Sequence, residues 1–264
     1  MGDIDDLMRA ISVIILLVAR GYGVLLVLPP LLKVGQNWML RFPLALAISL
    51  PAFPLAAELL DMQTTMGETA LLAIRELGLG AITGLFFFPL FAVPRAAGTL
   101  VDQQAGLMFI QLLDPSSAER SSTLFADLFE RCALFLFVSA GGLIAMSDLY
   151  VTSHLAWPLS LAHFPAQGDV TELIVEGLKV LLHASLVYGA PFVIVLFILE
   201  YGIAIIGKSA PQINILAASA PIKMLAATIT LMLAMPFIVD SYSAKLGQAI
   251  HAGEHFFAST SKRD

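Results

Sequence analysis

Six stretches of this 264-residue chain, 10–32, 40–60, 70–93, 124–149, 178–206 and 216–239, are apolar over more than twenty residues. A helix that crosses about 30 Å of hydrocarbon needs about 20 such residues. Each stretch is therefore long enough to span a membrane, and together they take up more than half of the chain. None alternates strictly between apolar and polar residues, so a β-barrel is not expected and the predicted class is all-α. The composition agrees, with 58% hydrophobic and 13% charged residues, against roughly 45–50% and 25% in a soluble domain. A water-soluble globule of this size would have too little polar surface to cover its core. An ordinary cytosolic enzyme, a disordered chain and a secreted disulfide scaffold are excluded. There remain an integral membrane protein and a chain buried inside a larger apolar assembly.

The formal net charge is −6. No stretch gathers Lys and Arg into a phosphate-tracking surface, so nucleic acid is not an expected partner. The one cysteine, Cys132, has no intrachain partner and reads as a small buried apolar residue. The start, Met1-Gly-Asp-Ile-Asp-Asp6, is acidic and no small-x-small cleavage site follows, so no cleaved signal peptide is expected. Lys33, Arg41 and Lys208 lie in short loops, against an acidic N-terminus and the acidic 150–177 region. The positive-inside rule then puts loops 33–41 and 207–215 in the cytoplasm and the N-terminus outside.

Capping boxes mark three helix starts. Thr65-Met-Gly-Glu68, Ser116-Ser-Ala-Glu119 and the variant Asp169-Val-Thr-Glu172 predict helices beginning near 66, 117 and 170. Pro29, Pro30, Pro43, Pro51, Pro54, Pro89, Pro191, Pro221 and Pro236 fall inside or at the ends of the apolar stretches. Each removes a backbone donor and tends to kink a helix. Membrane helices tolerate some proline, but breaks in apolar surroundings persist only where protein or water satisfies the freed carbonyls. The expectation is packed, Pro-kinked helical hairpins. Gly78, Gly80 and Gly84 suit close helix packing, and Met224, Met232 and Met235 read as core fillers.

Charged side chains inside apolar stretches are the most informative residues, since each costs at least about 2.5 kcal/mol at a helix centre unless paired or hydrated. Arg20, the neighbours Arg75 and Glu76, the neighbours Glu130 and Arg131, Glu200 and Lys223 are of this kind. Neighbours in sequence point to different partners. A turn centred on Pro211-Gln212 places Glu200 twelve residues before Gln212 and Lys223 eleven after it. In an antiparallel hairpin they reach nearly the same depth, and an ion pair would relieve two desolvation costs together. A proton or ion relay is the functional alternative. Arg20 is open between a partner chain, snorkelling and capping a neighbouring helix's carbonyls.

Catalytic chemistry is not found. His251-Ala-Gly-Glu254-His255 matches H-x-x-E-H, but no third ligand follows, and the match reads as a solvated amphipathic end. His154, His163 and His183 have no second ligand at metal-binding spacing, and no nucleophile elbow or phosphate loop occurs. No cofactor or metal is expected. Residues 95–115 are too polar to span and too apolar for a free loop, with Asp102-Gln-Gln104 between Gly98 and Gly106 and an apolar patch Leu107–Ile110 after it. This suits either a re-entrant, pore-lining element or a helix lying in the interface plane.

Glu200-Tyr-Gly-Ile-Ala-Ile-Ile-Gly-Lys-Ser-Ala-Pro-Gln-Ile-Asn214, followed by Ala220-Pro-Ile-Lys223, resembles the hallmark of the FliR/SpaR/YscT (SctT) family, export-apparatus membrane proteins of type III secretion systems. Glu76-Leu-Gly-Leu-Gly80, Ala97-Gly-Thr-Leu-Val-Asp102-Gln-Gln-Ala-Gly106, Asp114-Pro115 and Gly141-Gly142 fall in the expected order, and Arg20 fits. The resemblance covers nearly the whole chain. The Ala-Ala-Ser-Ala-Pro-Ile-Lys stretch is similar to injectisome members, while Asn-Ile-Leu stands where Asn-Val-Phe is commoner.

The resemblance implies a non-enzymatic protein of the bacterial inner membrane. One copy joins several P-like (SctR) and Q-like (SctS) subunits in a helical, cone-shaped export gate displaced towards the periplasm. Residues 1–165 would be P-like, 166–245 a Q-like hairpin and 246–264 a polar tail. The loop 106–122 would plug the pore, with Gly106, Leu107, Met108, Phe109, Ile110, Asp114 and Pro115 as its residues. A hydrophobic constriction of this kind blocks ions by dewetting. Arg20, Glu76, Asp102, Glu200 and Lys223 would serve as buried assembly charges. Pro211, Gln212 and Asn214 would face the cytoplasmic entrance, near the switch protein (SctU) and the large export-gate subunit (SctV). Secreted proteins would be the substrates. The alternative is a small-solute or ion transporter with Arg20, Glu76 and Glu200 as its midplane site.

Overall fold

The computed structural model describes residues 2–28, 38–57, 66–106, 124–159, 167–209 and 215–260. Helices α1 (Gly2–Val27), α2 (Trp38–Ser49), α3 (Phe53–Ala57), α4 (Met66–Leu85), α5 (Phe88–Gln104), α6 (Leu124–Ser139), α7 (Gly142–Ala156), α8 (Gln167–Ser209) and α9 (Ile215–Thr260) follow one another, with a 3-10 turn at Leu50–Ala52. No strand occurs among the described residues. The all-α class read from unbroken apolar runs is the class observed.

Three of the apolar stretches are broken rather than straight. Pro51 is the central residue of the 3-10 turn Leu50–Ala52 that separates α2 from α3. Phe86-Phe87 interrupts the third stretch, where the Phe87 amide turns back to the Gly84 carbonyl (3.1 Å). Ala140-Gly141 interrupts the fourth, and Gly141 adopts φ +78°, a left-handed conformation that costs glycine nothing. Two helices, within α8 and α9, are long and apolar enough to cross a membrane, or up to four spans if each bent pair counts as one. Six single spans are therefore not what these residues form. Pro191, Pro221 and Pro236 lie inside the uninterrupted α8 and α9, of 43 and 46 residues. The sharp breaks fall where glycine or a 3-10 turn ends one hydrogen-bond ladder and starts another.

Glu68 stands in the first turn of α4, which begins at Met66 as the capping box predicts. The α8 helix begins at Gln167, so Asp169 lies inside its first turn rather than ahead of it. Ser116 and Glu119 lie outside the described residues.

The chain divides into two units. The first comprises 1–89, 137–178 and 245–264. Its central packing is α1 against α4, and the approach is close because both crossing points are glycine. A Cβ on Gly80 would overlap the Arg20 carbonyl oxygen, and one on Gly84 would stand 2.7 Å from the Val24 carbonyl oxygen. The sequence reading of Gly80 and Gly84 as packing residues is what the structure shows. This contact brings the polar side chains of α1 and α4 together in an otherwise apolar core.

The second unit comprises 90–136 and 179–244. Its core joins Ala97, Val101 and Ala105 at the end of α5, Phe125 and Phe129 of α6, Phe192 and Leu196 of α8, and Ala227 of α9. Gly98 allows α6 to start against α5, since a Cβ there would stand 2.6 Å from the Ala126 Cα. Met224 packs on this core, but Met232 is 72% exposed and is not the core filler expected. It shares its helix with Leu233, 79% exposed, and α8 likewise presents Ile194, Phe197 and Ile198. Apolar faces of this size call for lipid or a partner chain to cover them. The chain is a membrane protein by these helices. Cys132 is half-buried rather than fully enclosed.

Residues 246–264, expected as a polar tail, are helical as far as Thr260. Leu246, Gly253 and Phe257 form one buried stripe of α9, at the i, i+7, i+11 spacing of a helix face. Phe257 packs edge-on against Trp157 (5.0 Å between centroids) and tilted against Phe86 (5.8 Å). His251, Glu254 and His255 occupy the exposed side.

Candidate functional site

In the first unit, Arg20 is the keystone of a buried polar cluster. Its side chain has no solvent exposure, nor has that of Glu76. Arg20 Nε donates to Glu76 Oε2 (2.5 Å), Nη2 to the Trp157 carbonyl (2.9 Å) and Nη1 to Ser153 Oγ (3.4 Å). Arg75 stands beside this pair. Its Nη1 lies 3.5 Å from Glu76 Oε1 and donates to the Leu159 carbonyl (3.4 Å), while Nη2 donates to the Pro158 carbonyl (3.4 Å). Two guanidinium groups thus meet one carboxylate and the carbonyls just past the end of α7, where the helix dipole favours positive charge. Arg20 both pairs with a carboxylate and caps a neighbouring helix. The second role is one of the alternatives the sequence left open.

Hydroxyl groups complete the lattice. Tyr150 Oη donates to the Leu17 carbonyl (2.7 Å), Ser49 Oγ to the Ala45 carbonyl (2.7 Å) and Ser153 Oγ to the Tyr150 carbonyl (2.6 Å). His154 Nδ1 lies 3.1 Å from the Tyr150 carbonyl oxygen. A buried polar network rigidifies a core when its members are satisfied. Nothing in this arrangement positions a nucleophile beside a base; Glu76 Oε2 accepts from Arg20, whereas Glu76 Oε1 meets Arg75 only as an ion-pair neighbour and His154 Nε2 is buried without a hydrogen bond.

In the second unit, Asp102 is a helix cap. Although it sits in the last turn of α5 and is buried, its Oδ1 accepts from the Phe125 amide (2.9 Å) and its Oδ2 from the Ala126 amide (3.0 Å). These are among the donors that the first turn of α6 cannot satisfy itself. Arg95, two turns further back on the same face of α5, donates to Glu130 Oε2 (2.5 Å) and Asp127 Oδ1 (3.3 Å) of α6. The sequence singled out Glu130 but not Arg95 as its partner. The signal available was the lone cation at the head of the 95–115 segment. Residues 95–104 of that segment are plain α-helix with one face in the core.

The Glu200–Lys223 pair forms as the antiparallel register requires, with Lys223 Nζ 3.5 Å from Glu200 Oε2. Lys223 is buried, whereas the Glu200 side chain is 55% exposed. Lys223 Nζ also donates to the Gln104 carbonyl, at 3.2 Å. No sequence signal announced that contact, because it joins positions 119 residues apart. Gly106 follows at φ +78° and ends α5, its amide donating to the Gln103 carbonyl (3.2 Å). Leu107, Met108, Phe109, Ile110, Asp114, Pro115, Pro211, Gln212 and Asn214 lie outside the described residues. Among the described residues, no group of three His, Cys, Asp or Glu side chains could hold a metal ion.

Comparison with known proteins gives one consistent answer. The sequence model of the bacterial export proteins, family 1, matches residues 11–249. The chain is 26% identical over 231 residues to Yop proteins translocation protein T of Yersinia pestis, which covers 87% of this chain and 88% of that protein. It is 24% identical over 210 residues to flagellar biosynthetic protein FliR of Escherichia coli (80% and 76% covered). It is also 26% identical over 188 residues to surface presentation of antigens protein SpaR of Salmonella typhimurium (70% and 69% covered).

Proposed function

The chain belongs to the bacterial export proteins, family 1, and we propose that it is a structural and gating subunit of a type III secretion export gate. It forms part of the conduit that carries unfolded secreted proteins across the bacterial inner membrane. The observation that carries this reading is the family match from residue 11 to residue 249. The likeness to the Yop translocation protein over 87% of the chain supports an injectisome rather than a flagellum. The apolar faces of α8 and α9 support a subunit that partner chains cover. Those partners are the P-like (SctR) and Q-like (SctS) subunits, with the switch protein (SctU) and the large export-gate subunit (SctV) near the tip Pro211–Asn214. The N-terminal part to residue 165 is P-like and the hairpin 166–245 Q-like, and the assembled cone stands towards the periplasm.

A transporter would need Arg20 and Glu76 open to solute. Their complete burial and mutual pairing favour a structural role instead. Gating falls to the loop 106–122, whose apolar Leu107, Met108, Phe109 and Ile110 occlude the lumen and exclude water. Asp114 and Pro115 belong to the same loop, and Gly106 is its hinge. Deletion of Gly106–Leu113 in the co-expressed complex is the test. The expected result is a steady ion leak across membranes that carry the complex. Unchanged permeability with normal secretion overturns the plug assignment.

A further inference from the structure

We infer that the outer face of α6 is a docking seam for one helix of a partner subunit, which brings a carboxylate to Arg131. This rests on the reading of the chain as one subunit of an assembly, and adds the chemistry of one partner. Arg131 is a charged residue inside an apolar stretch that neither buried polar cluster uses. The α6 helix turns Phe125, Phe129 and Ala133 into the protein. Its opposite face carries Leu124, Leu128, Arg131 and Phe135, all exposed, with Phe135 at 72%. These four follow one another at spacings of four, three and four residues. That alternation is the seam of a coiled coil, where a 3.5-residue repeat keeps one row of side chains against a second helix.

Three surroundings could cover this face. Water does not suit it, because Leu124, Leu128 and Phe135 would leave an apolar stripe wet. Lipid does not suit it, because Arg131 stands at its centre. Arg131 comes seven residues after the start of α6 and eight before its end, about 10–12 Å along the axis from either. A guanidinium in hydrocarbon must snorkel to the interface or meet a counter-charge. The carboxylates nearest in sequence are turned away, since Arg95 binds both Asp127 and Glu130. Among the described residues, none forms a hydrogen bond or an ion pair with Arg131. A partner helix with apolar side chains and one Asp or Glu at the level of Arg131 meets both demands. A guanidinium holds a carboxylate through two parallel hydrogen bonds, which fixes register as well as charge.

Photo-crosslinking in the co-expressed complex tests this. Benzoylphenylalanine placed at Phe135 is expected to crosslink to a co-expressed partner subunit. Peptide mapping is expected to put the crosslink on an apolar helix with an Asp or Glu within one turn. Arg131→Leu is expected to lower both this crosslink and the recovery of intact complex at least about tenfold, because the partner's carboxylate is left buried without its cation. Arg131→Lys keeps the charge but loses the fork, and is expected to stay within about threefold of the parent. Arg131→Glu is expected to abolish assembly, and replacement of the mapped carboxylate by Lys to restore it. Arg131 lies outside the core, so amide exchange at Phe125 and Ala126 is expected to be unchanged in Arg131→Leu. Should that variant misfold, the crosslink from Phe135 in the presence of Arg131 decides alone.

A Phe135 crosslink found only on lipid, only on a second copy of this chain, or not at all would overturn the inference. So would a mapped helix without an acidic residue, or an Arg131→Leu complex that assembles as fully as the parent. If the chain is recovered without any partner subunit, the assembly reading fails and this inference with it. If the complex forms and the α6 face meets lipid, this inference fails alone.

Discussion

Glu76→Ala is expected to destabilise the first unit by about 3–5 kcal/mol, the cost of leaving a buried charge without its counter-ion. Arg20 has no route to water, because its side chain is fully enclosed and α4 crosses α1 on Gly80 and Gly84. Its remaining acceptors, the Trp157 carbonyl and Ser153 Oγ, are neutral. A loss of this size is a large share of the 5–15 kcal/mol by which folded proteins are stable. Arg75 fares better after the same substitution, since it keeps the Pro158 and Leu159 carbonyls. The paired replacement Arg20→Met with Glu76→Leu is expected to recover most of the loss, because apolar residues of similar volume substitute well for a buried ion pair. Unfolding followed by Trp157 fluorescence, in a Trp38→Phe background, reads both. A Glu76→Ala protein as stable as the parent would refute the structural role of the pair.

Phe257→Ala comes next in size, at about 3–5 kcal/mol for a large aromatic side chain removed from a packed site. Phe257 is 1% exposed and lies among Trp157, Phe86 and Phe256. The same helix turn brings Gly253 onto Leu149. Trp157 links this aromatic cluster to the ionic one, since its ring packs on Phe257 and its carbonyl accepts from Arg20. The two substitutions are therefore expected to be non-additive, with an interaction energy above about 0.5 kcal/mol in a double-mutant cycle. Strict additivity would mean that the C-terminal helix merely adheres to the unit. His255→Ala, on the exposed side of that helix, is expected to leave stability unchanged within about 0.5 kcal/mol.

Much of this fold could be read from one periodicity and one kind of anomaly. Long apolar runs without alternation admit only helices, and helices occupy them. Glycines spaced four apart, Gly80 and Gly84, announced a close crossing. Glu200 and Lys223 could be paired because a single turn fixes the register of an antiparallel hairpin. Arg20 and Glu76 could each be marked as buried charges but not joined, since 56 residues and several elements intervene. Only one of the breaks could be placed. Pro51 marks the 3-10 turn between α2 and α3, yet the chain also breaks at Phe86-Phe87 and Ala140-Gly141, while α8 and α9 run through Pro191, Pro221 and Pro236. The C-terminal stripe of Leu246, Gly253 and Phe257 was present in the sequence, masked by His251, Glu254 and His255 on the other face. Asp102 could be marked as a buried charge, but its capping of α6 could not be read, because a capping side chain that comes from another helix leaves no local pattern.

Native mass spectrometry of the complex co-expressed with the neighbouring P-like and Q-like subunits tests the central claim most directly. The claim is that this chain satisfies its apolar faces against sister subunits around a shared conduit. The account predicts one stable heteromeric assembly that contains this chain and survives transfer from detergent. A chain released as a monomer, folded by itself and moving a small solute in liposomes without partners, would contradict it.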